Sequence, residues 1–282
     1  MLNKKIIVVL LTFVMVIGSL AACGGTPSTD QSPDGATPAP DNSQTPSAGS
    51  DAGTPNVDKI KKAGKLVMLT NAAFHPFEYL NKQNEIAGVD PEIAQAIADE
   101  LGVKLEIVDM DFDGIVMAIQ NGQGDLALAG MTANDERRES IDFSINYLDA
   151  TQLIIVPENS DIKSVEDLKG KSIGVQAGTT GALFARDMIE DANVNDFKTG
   201  PDAGTALANG QLDAVVLDEM PSQKIVAANK GLVLLEEPLT VEQYAIGIMK
   251  GRDDLKAVVD SVLEKMLAEG KIDELIAKHM AE

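Results

Sequence analysis

The sequence KLVMLTNAAFHPFEYLNKQNEIAGVDPEIAQAIADELGVKLEIV, residues 65–108, predicts a strand, a helix and a second strand in succession. Lys65–Thr70 and Lys104–Val108 are short, largely apolar runs of strand length. Between them, Asp90-Pro91 predicts a helix start, with Asp as the cap and Pro in the first turn, and Gly102 predicts the helix end. Apolar residues at helical spacing give this helix one buried face, made of Ile93, Ala94, Ile97 and Leu101.

The same alternation continues along the chain, which predicts an α/β fold. Strands are predicted at 125–129, 171–176 and 213–217, and helices at 114–121, 180–191, 252–269 and 271–280. Ser164 is expected to cap a further helix start, although Asp167 replaces the usual Glu. Such an alternation predicts parallel sheets covered by helices on both faces. Ligands of these sheets bind beyond the carboxyl ends of the strands, so we expect the functional residues after Thr70, Ala129, Gln176 and Leu217.

Composition argues against several classes of function. The chain has 23 basic and 44 acidic residues, a net charge of −21. This balance disfavours nucleic-acid binding, because neutralising phosphates requires clustered Lys and Arg. One cysteine excludes an internal disulfide and a cysteine-rich metal site, and the two histidines are far apart in sequence. We therefore predict no cofactor, no metal ion and no nucleic-acid partner.

Residues 1–22 are predicted to be a signal peptide. Lys4 and Lys5 precede an apolar run that is short for a membrane span but typical of a signal sequence. The run ends in Leu20-Ala21-Ala22-Cys23-Gly24, which resembles a bacterial lipobox. This resemblance implies that Cys23 is lipidated and that the protein is anchored at the extracytoplasmic face of the cell membrane. The alternative is an ordinary secretory signal with a chance cysteine.

A tether is predicted to follow the lipidated cysteine. Residues 24–56 contain six of the twelve prolines and no Leu, Ile, Val, Met, Phe, Tyr, Lys or Arg. Such a segment cannot bury enough apolar surface to offset its chain entropy. We predict that 23–56 is a disordered, lipid-anchored tether with a reach of roughly 30 Å.

Five segments in order resemble the bacterial extracellular solute-binding proteins of family 3, the substrate-binding lipoproteins of polar amino-acid ABC transporters. They are FHPFE (74–78), GVDPEIAQAIA (88–98), GMTANDERRESIDFS (130–144), DLKGKSIGVQAGTT (167–180) and DAVVLD (213–218). The resemblance implies a type II periplasmic-binding-protein-like fold, with two lobes joined by two hinge crossings and a ligand in the cleft. Carried over here, lobe 1 is 57–150 plus 242–282, lobe 2 is 151–241, and the crossings are near Leu148–Val156 and Leu239–Gly247.

The resemblance also implies the binding roles of individual residues. Arg137 would hold the ligand's α-carboxylate with two parallel hydrogen bonds, which Lys cannot make, and Thr180 would assist from a helix start. Asp218 would bind the α-ammonium group. The alternatives are a surface arginine beside Glu136 and plain helix caps at Thr180 and Asp218.

The remaining site residues would complete the cleft. Gly130 and Thr132 would add a backbone contact and a hydroxyl group. Phe74 and Phe112 would face each other across the ligand side chain, unless they serve core packing, and the polar neighbours of Phe112 favour its exposure. Asn71 and Gln176 are neutral, which favours a neutral polar or small amino acid over a cationic one.

The function implied is the substrate-binding component of an amino-acid importer, a monomer that works with ABC permease subunits and is not an enzyme. Two alternatives stay open, a ligand sensor that feeds a receptor and a secreted dehydratase-like enzyme on the same fold. An enzyme would need a positioned general acid, such as a carboxyl of raised pKa near Lys. The cleft loops offer Asp218, Glu219 and Glu78, but no lysine.

Overall fold

The computed structural model describes residues 54–282. The predicted signal peptide, Cys23 and nearly all of the tether lie outside the described residues. The α-helices of the described range are α1 (Pro55–Ala63), α2 (Val89–Leu101), α3 (Ile115–Gln120), α4 (Asp135–Ser140), α5 (Thr180–Met188), α6 (Gly200–Ala208), α7 (Glu219–Ala228), α8 (Asp253–Ala268) and α9 (Lys271–Met280). Within residues 54–282, none of these helices has the length and apolar character needed to span a membrane.

The strands form two five-stranded sheets and one small three-stranded sheet. They are β1 (Lys65–Thr70), β2 (Ala73–Phe74), β3 (Glu78–Leu80), β4 (Ile86–Ala87), β5 (Lys104–Asp109), β6 (Leu126–Ala127), β7 (Asp142–Ala150), β8 (Gln152–Pro157), β9 (Ser172–Gln176), β10 (Asn193–Phe197), β11 (Ala214–Asp218), β12 (Leu232–Leu235) and β13 (Glu242–Ile248). The first large sheet has the order β5-β1-β6-β13-β7, the second β10-β9-β11-β8-β12, and the small sheet β2-β3-β4. We call the parts built on the first and second sheets lobe 1 and lobe 2.

The predicted α/β elements are confirmed, with small shifts at their ends. The first strand and the last helix have the predicted limits, and Gly102 ends α2 in the left-handed conformation at φ 71°. The strand predicted at 125–129 is shorter, and the helix predicted at 180–191 ends at Met188. Ser164 and Asp167 form a capping box at a short 3₁₀ helix, Val165–Leu168.

The assignment of Asp90 as a helix cap is wrong. Gly88 occupies the cap position of α2, at φ 138°. Asp90 is fully buried instead, where its carboxylate accepts hydrogen bonds from the Gly130 N–H at 2.9 Å and the Tyr147 hydroxyl at 2.8 Å. Asp90 therefore stabilises the loop that contains Gly130. This is a long-range contact, which a local helix-cap pattern does not reveal.

The prediction of parallel sheets is also wrong in part. β1 pairs in parallel with β5 and β6, but β13 is antiparallel to β6 and β7, and β8 is antiparallel to β11 and β12. The reason is that the chain passes from one sheet to the other without a returning helix. β7 ends at Ala150 and β8 begins at Gln152, so only Thr151 separates them.

Helix α1 includes the last two residues of the predicted tether. The predicted tether extends to residue 56, yet α1 begins at Pro55. The backbone N–H groups of Asn56 and Val57 donate to one carboxylate oxygen of Asp254 in α8, at 2.8 and 3.0 Å. These contacts fix the start of α1 on lobe 1. The large-sheet strands of lobe 1 lie within 65–150 and 242–248, and those of lobe 2 within 152–235; the predicted lobe limits stay a prediction.

Candidate functional site

All nine predicted site residues line one cavity between the two lobes. Its lining consists of Asn71, Phe74, Glu78, Phe112, Ala129, Gly130, Thr132, Arg137, Gln176, Thr179, Thr180 and Asp218. Both lobes contribute, each from loops at the ends of its strands. The free space at the centre is about 10 Å³, roughly what one water molecule needs. A larger ligand can therefore enter only when the lobes move apart.

Arg137 is a buried cation without a carboxylate partner among the described residues. It lies in α4, where the Asn134 side chain caps the helix by accepting from the Arg137 N–H at 2.9 Å. The guanidinium Nη1 donates to the Thr132 carbonyl at 2.6 Å, and Nη2 donates to the Gly178 carbonyl of lobe 2 at 3.0 Å. Its Cζ lies 5.2 Å from the centre of the Phe112 ring. The residue is 8% exposed, so the alternative of a surface arginine is wrong.

The charge of Arg137 makes the cleft suitable for an anion. Burial lowers the pKa of Arg137, whereas the nearby carboxylates of Glu242 and Asp218 raise it. Both hydrogen-bond acceptors of the guanidinium are neutral carbonyls. Since a hydrogen bond between two charged groups is stronger than one to a neutral acceptor, a carboxylate can replace these contacts favourably.

The hydroxyl groups of Thr132 and Thr180 meet on one carboxylate. Thr132 Oγ1 donates to Glu242 Oε2 at 2.6 Å, and Thr180 Oγ1 donates to the same oxygen at 2.7 Å. A hydroxyl has a single proton, so neither threonine can donate to a second acceptor while these bonds exist. The Thr179 side chain caps α5 by accepting from the Ala182 N–H at 3.2 Å. The first N–H groups of α5 still lack intrahelical partners and can face an anion.

Asp218 is a buried acceptor at the end of β11. It is 5% exposed, and its Oδ1 accepts a short hydrogen bond from the Tyr244 hydroxyl. Asp218 holds the cap position of α7 but makes no side-chain cap bond, so the alternative of a plain helix cap is wrong. Burial raises the pKa of Asp218 to about 6, although the hydrogen bonds from Tyr244 and Gln152 act in the opposite direction.

Gly130 can offer a ligand only its carbonyl oxygen, because its N–H already donates to Asp90. The residue adopts φ 50°, and a Cβ here would lie 2.5 Å from the Phe74 ring. Only glycine therefore fits where this loop passes over the aromatic ring.

The two phenylalanines are both buried, and the expectation that Phe112 is exposed is wrong. Phe112 begins a 3₁₀ helix, Phe112–Gly114, and is 8% exposed. Its polar neighbour Asp111 faces outward and accepts from Lys198 of lobe 2 at 2.8 Å, which leaves the ring pointing inward beneath Arg137. Phe74 packs against Phe77 and Tyr244, with ring centres 5.7 and 6.5 Å apart.

Asn71 and Gln176 form a neutral pair across the cleft. Gln176 Nε2 donates to Asn71 Oδ1 at 3.0 Å, and Asn71 Nδ2 donates to the Met110 carbonyl at 2.9 Å. The second bond fixes the amide so that its oxygen faces lobe 2. The cleft therefore presents a hydrogen-bond acceptor, Asn71 Oδ1, on the lobe 1 side and an amide donor, Gln176 Nε2, on the lobe 2 side.

Glu78 is a lining residue for which the sequence predicted no binding role. It is fully buried near Asp90, and neither of its carboxyl oxygens has a hydrogen-bond partner among the described residues. Burial and then the charge of Asp90 raise the pKa of Glu78 well above its ordinary value, and burial raises the pKa of Asp90 to about 6. Both effects favour the uncharged form of Glu78 and so reduce the negative charge that it brings to the cleft.

Glu242 and Tyr244 were also missed as contributors to the site. Both lie in the predicted crossing 239–247, and that position is the signal that could have revealed them. Residues 54–282 contain no group of three or more potential metal ligands.

The chain belongs to the bacterial extracellular solute-binding proteins, family 3, whose family model matches residues 66–282. It is similar to the ABC transporter glutamine-binding protein GlnH of Bacillus subtilis, with 31% identity over 99% of this chain and 98% of the relative. A structure of the amino acid ABC transporter substrate-binding protein AbpA from Streptococcus pneumoniae, bound to L-arginine, has 34% identity and a TM-score of 0.76, and covers 79% of this chain and 98% of that one.

A further similar structure is that of the ancestral amino acid-binding protein AncCDT-1, a precursor of cyclohexadienyl dehydratase. It has 35% identity and a TM-score of 0.75, and the match covers 80% of this chain and 97% of that one. The predicted two-lobed fold is confirmed by these matches.

Proposed function

We propose that this protein is the extracytoplasmic substrate-binding component of an amino-acid ABC importer and that it binds a free α-amino acid between its lobes. The observation that carries this proposal is the pair Arg137 and Asp218. They are opposite charges buried in one cavity, and neither has the other as a salt-bridge partner. An α-amino acid carries a carboxylate and an ammonium group on one carbon atom, so one small molecule can pair with both residues.

The contacts of the cleft suggest how the main chain of the ligand is held. The α-carboxylate would replace the carbonyl acceptors of Arg137 and face the N-terminus of α5. The α-ammonium group would donate to Asp218, to the Gly130 carbonyl and to the lone pairs of Thr132 Oγ1. Because acceptors and donors come from both lobes, the ligand binds the closed arrangement better than an open one and drives closure.

The side chain of the ligand is proposed to be neutral and polar, or small. Asn71 and Gln176 carry no charge, and burial favours the uncharged form of Glu78. A carboxamide such as that of glutamine could donate to Asn71 Oδ1 and accept from Gln176 Nε2. The glutamine-binding relative GlnH and the similar structure of AbpA bound to L-arginine supply the two ligands to compare.

We also propose where the protein is located and which proteins it works with. The lipobox at Cys23 supports an anchored lipoprotein at the cell membrane, and the family supports an extracellular site of action. The proposed partners are ABC permease subunits, and the protein is proposed to act as a monomer. A receptor-linked sensor would differ only in its partner.

We propose that the protein is not an enzyme, although one specific observation favours a dehydratase-like activity. Glu78 is a carboxyl group of raised pKa in the cavity lining, as a general acid would be. No lysine is among the lining residues to assist it. If the purified protein catalysed loss of water from a cyclohexadienyl acid, as measured by ultraviolet absorbance, the protein would be an enzyme.

Thermal-shift and calorimetric titrations test the binding proposal. Glutamine, arginine and the other amino acids are compared with glutamine analogues that lack either the α-amino or the α-carboxyl group. Ligand at 100 times its dissociation constant should stabilise the protein by about 2.7 kcal/mol. The intact amino acid should bind, and both truncated analogues should bind far more weakly. Equal affinity for all three would refute the proposed main-chain contacts.

A further inference from the structure

Glu242 lies on the second connection between the lobes. It is the first residue of β13 and is 8% exposed. The two connections lie side by side, since Thr151 Oγ1 donates to the Thr240 carbonyl at 2.6 Å and the Leu239 N–H donates to the Gln152 carbonyl at 2.9 Å. Glu242 is therefore fixed at the point where both lobes meet.

Glu242 bonds to both lobes through one oxygen atom. Its Oε2 accepts from Thr132 in the loop after β6 of lobe 1 and from Thr180 at the start of α5 in lobe 2, at 2.6 and 2.7 Å. A carboxylate accepts hydrogen bonds and donates none, so both threonine protons point at Glu242. The remaining lone pairs of Thr132 can then only accept.

The direction in which the Thr132 hydroxyl donates matters, because a hydroxyl without a fixed acceptor could either donate to the ligand or accept from it. Without Glu242, Thr132 could donate to the α-carboxylate instead of accepting from the α-ammonium group. Thr180 is more constrained, since its Oγ1 also accepts from Gln152 Nε2 at 3.3 Å. Thr132 is thus the hydroxyl whose direction depends most on Glu242.

We propose that Glu242 is a positioning residue of the ligand site, which fixes the Thr132 hydroxyl as an acceptor for the α-ammonium group and ties this loop to α5 of the other lobe. The inference rests on the proposed function, because it concerns the same amino-acid site. It adds a residue that does not line the cavity and acts only through the two threonines.

The test measures how strongly binding depends on the ligand's ammonium group. Calorimetry gives the dissociation constants of the tightest-binding amino acid and of the same molecule without its α-amino group. Their ratio is the ammonium selectivity. Glu242→Leu, which offers no hydrogen-bond acceptor to the two threonines, should lower this ratio about tenfold, because Thr132 is then free to turn its proton away from Glu242 and its hydrogen bond from the charged ammonium group is lost. Glu237→Leu, at an exposed glutamate near the same connection, should leave the ratio unchanged.

A double-mutant cycle identifies the route of the effect. Thr132→Val removes the hydroxyl and should lower the ratio by itself, and adding Glu242→Leu should then change it less than twofold. If the two effects multiply, or if folded Glu242→Leu keeps the wild-type ratio, the inference is wrong. A merely structural role would weaken both ligands equally and leave the ratio unchanged.

Three further outcomes have fixed meanings. If Glu242→Leu melts below the assay temperature, Glu242→Asp is used, since its shorter carboxylate cannot reach both hydroxyls and should also lower the ratio. If the wild-type protein binds no amino acid, the proposed function fails and the inference with it. If it binds amino acids with the same selectivity as the variants, only the inference fails.

Discussion

Lowering the pH from 7 to 5 should weaken the binding of an α-amino acid about tenfold. Burial raises the pKa of Asp218 to about 6. With that value, about nine-tenths of Asp218 is ionised at pH 7 and about one-tenth at pH 5. The ammonium group pairs with the ionised carboxylate, so affinity follows the ionised fraction. It should rise with pH through about 6 and level off above about 7.

Other groups near the cleft must be separated from Asp218 in this test. Asp90 has a pKa of about 6 and titrates in the same range, but it bonds to Gly130 and Tyr147 and does not line the cavity. Asp90→Asn should therefore keep the pH dependence, whereas Asp218→Asn should bind weakly and show none. The α-carboxylate and α-ammonium groups of the ligand titrate outside pH 5–7, so they do not contribute.

Calorimetric titration at pH 5, 6, 7 and 8 measures this profile, with glutamine or arginine as ligand because neither side chain titrates there. The analogue without the α-amino group should bind with an affinity that does not fall at low pH. A flat profile for the wild type would refute the pairing of ammonium with Asp218. So would a tenfold dependence that survives Asp218→Asn.

Three further predictions concern residues of the same cleft. Arg137→Ala should cost about 2–5 kcal/mol of amino-acid binding free energy by calorimetry, whereas Ala at the exposed neighbour Arg138 should cost little; similar affinities for both variants would contradict the carboxylate role. The folded-state pKa of Glu78 is raised, so its contribution to stability falls as pH rises above its unfolded value. Glu78→Gln should therefore raise the free energy of unfolding more at pH 8 than at pH 5 in urea titrations, and an equal effect at both pH values would count against a buried neutral acid. Asn71→Asp should shift the ratio of dissociation constants from glutamine towards arginine, and an unchanged ratio would remove Asn71 from the side-chain pocket.

Local patterns were enough to predict the elements, but not the buried polar contacts. Lys65–Thr70 and α2 follow from apolar runs and helical spacing, and the motif residues meet in one cavity. Asp90 matched a cap pattern, yet its partner Gly130 is 40 residues away. Glu242 accepts from Thr132, 110 residues away, and no local pattern encodes such a pair. The antiparallel strands arise from the lobe crossings, whose direction is set by tertiary structure.

The contacts across the cleft indicate how affinity and selectivity divide between parts of the ligand. In the structure Arg137 of lobe 1 bonds to the Gly178 carbonyl of lobe 2, and Gln176 of lobe 2 bonds to Asn71 of lobe 1. A ligand that binds in the cleft must replace these hydrogen bonds. Only the difference in free energy between its own hydrogen bonds and those that it replaces contributes to binding. At Arg137 a carboxylate replaces neutral carbonyls, which is a gain because both partners are then charged. At Asn71 and Gln176 a neutral polar side chain replaces the hydrogen bond between the two amides by hydrogen bonds of similar strength, with little net gain in binding free energy. The main-chain groups should therefore supply most of the affinity, while the amide pair rejects side chains that leave its polar atoms unpaired.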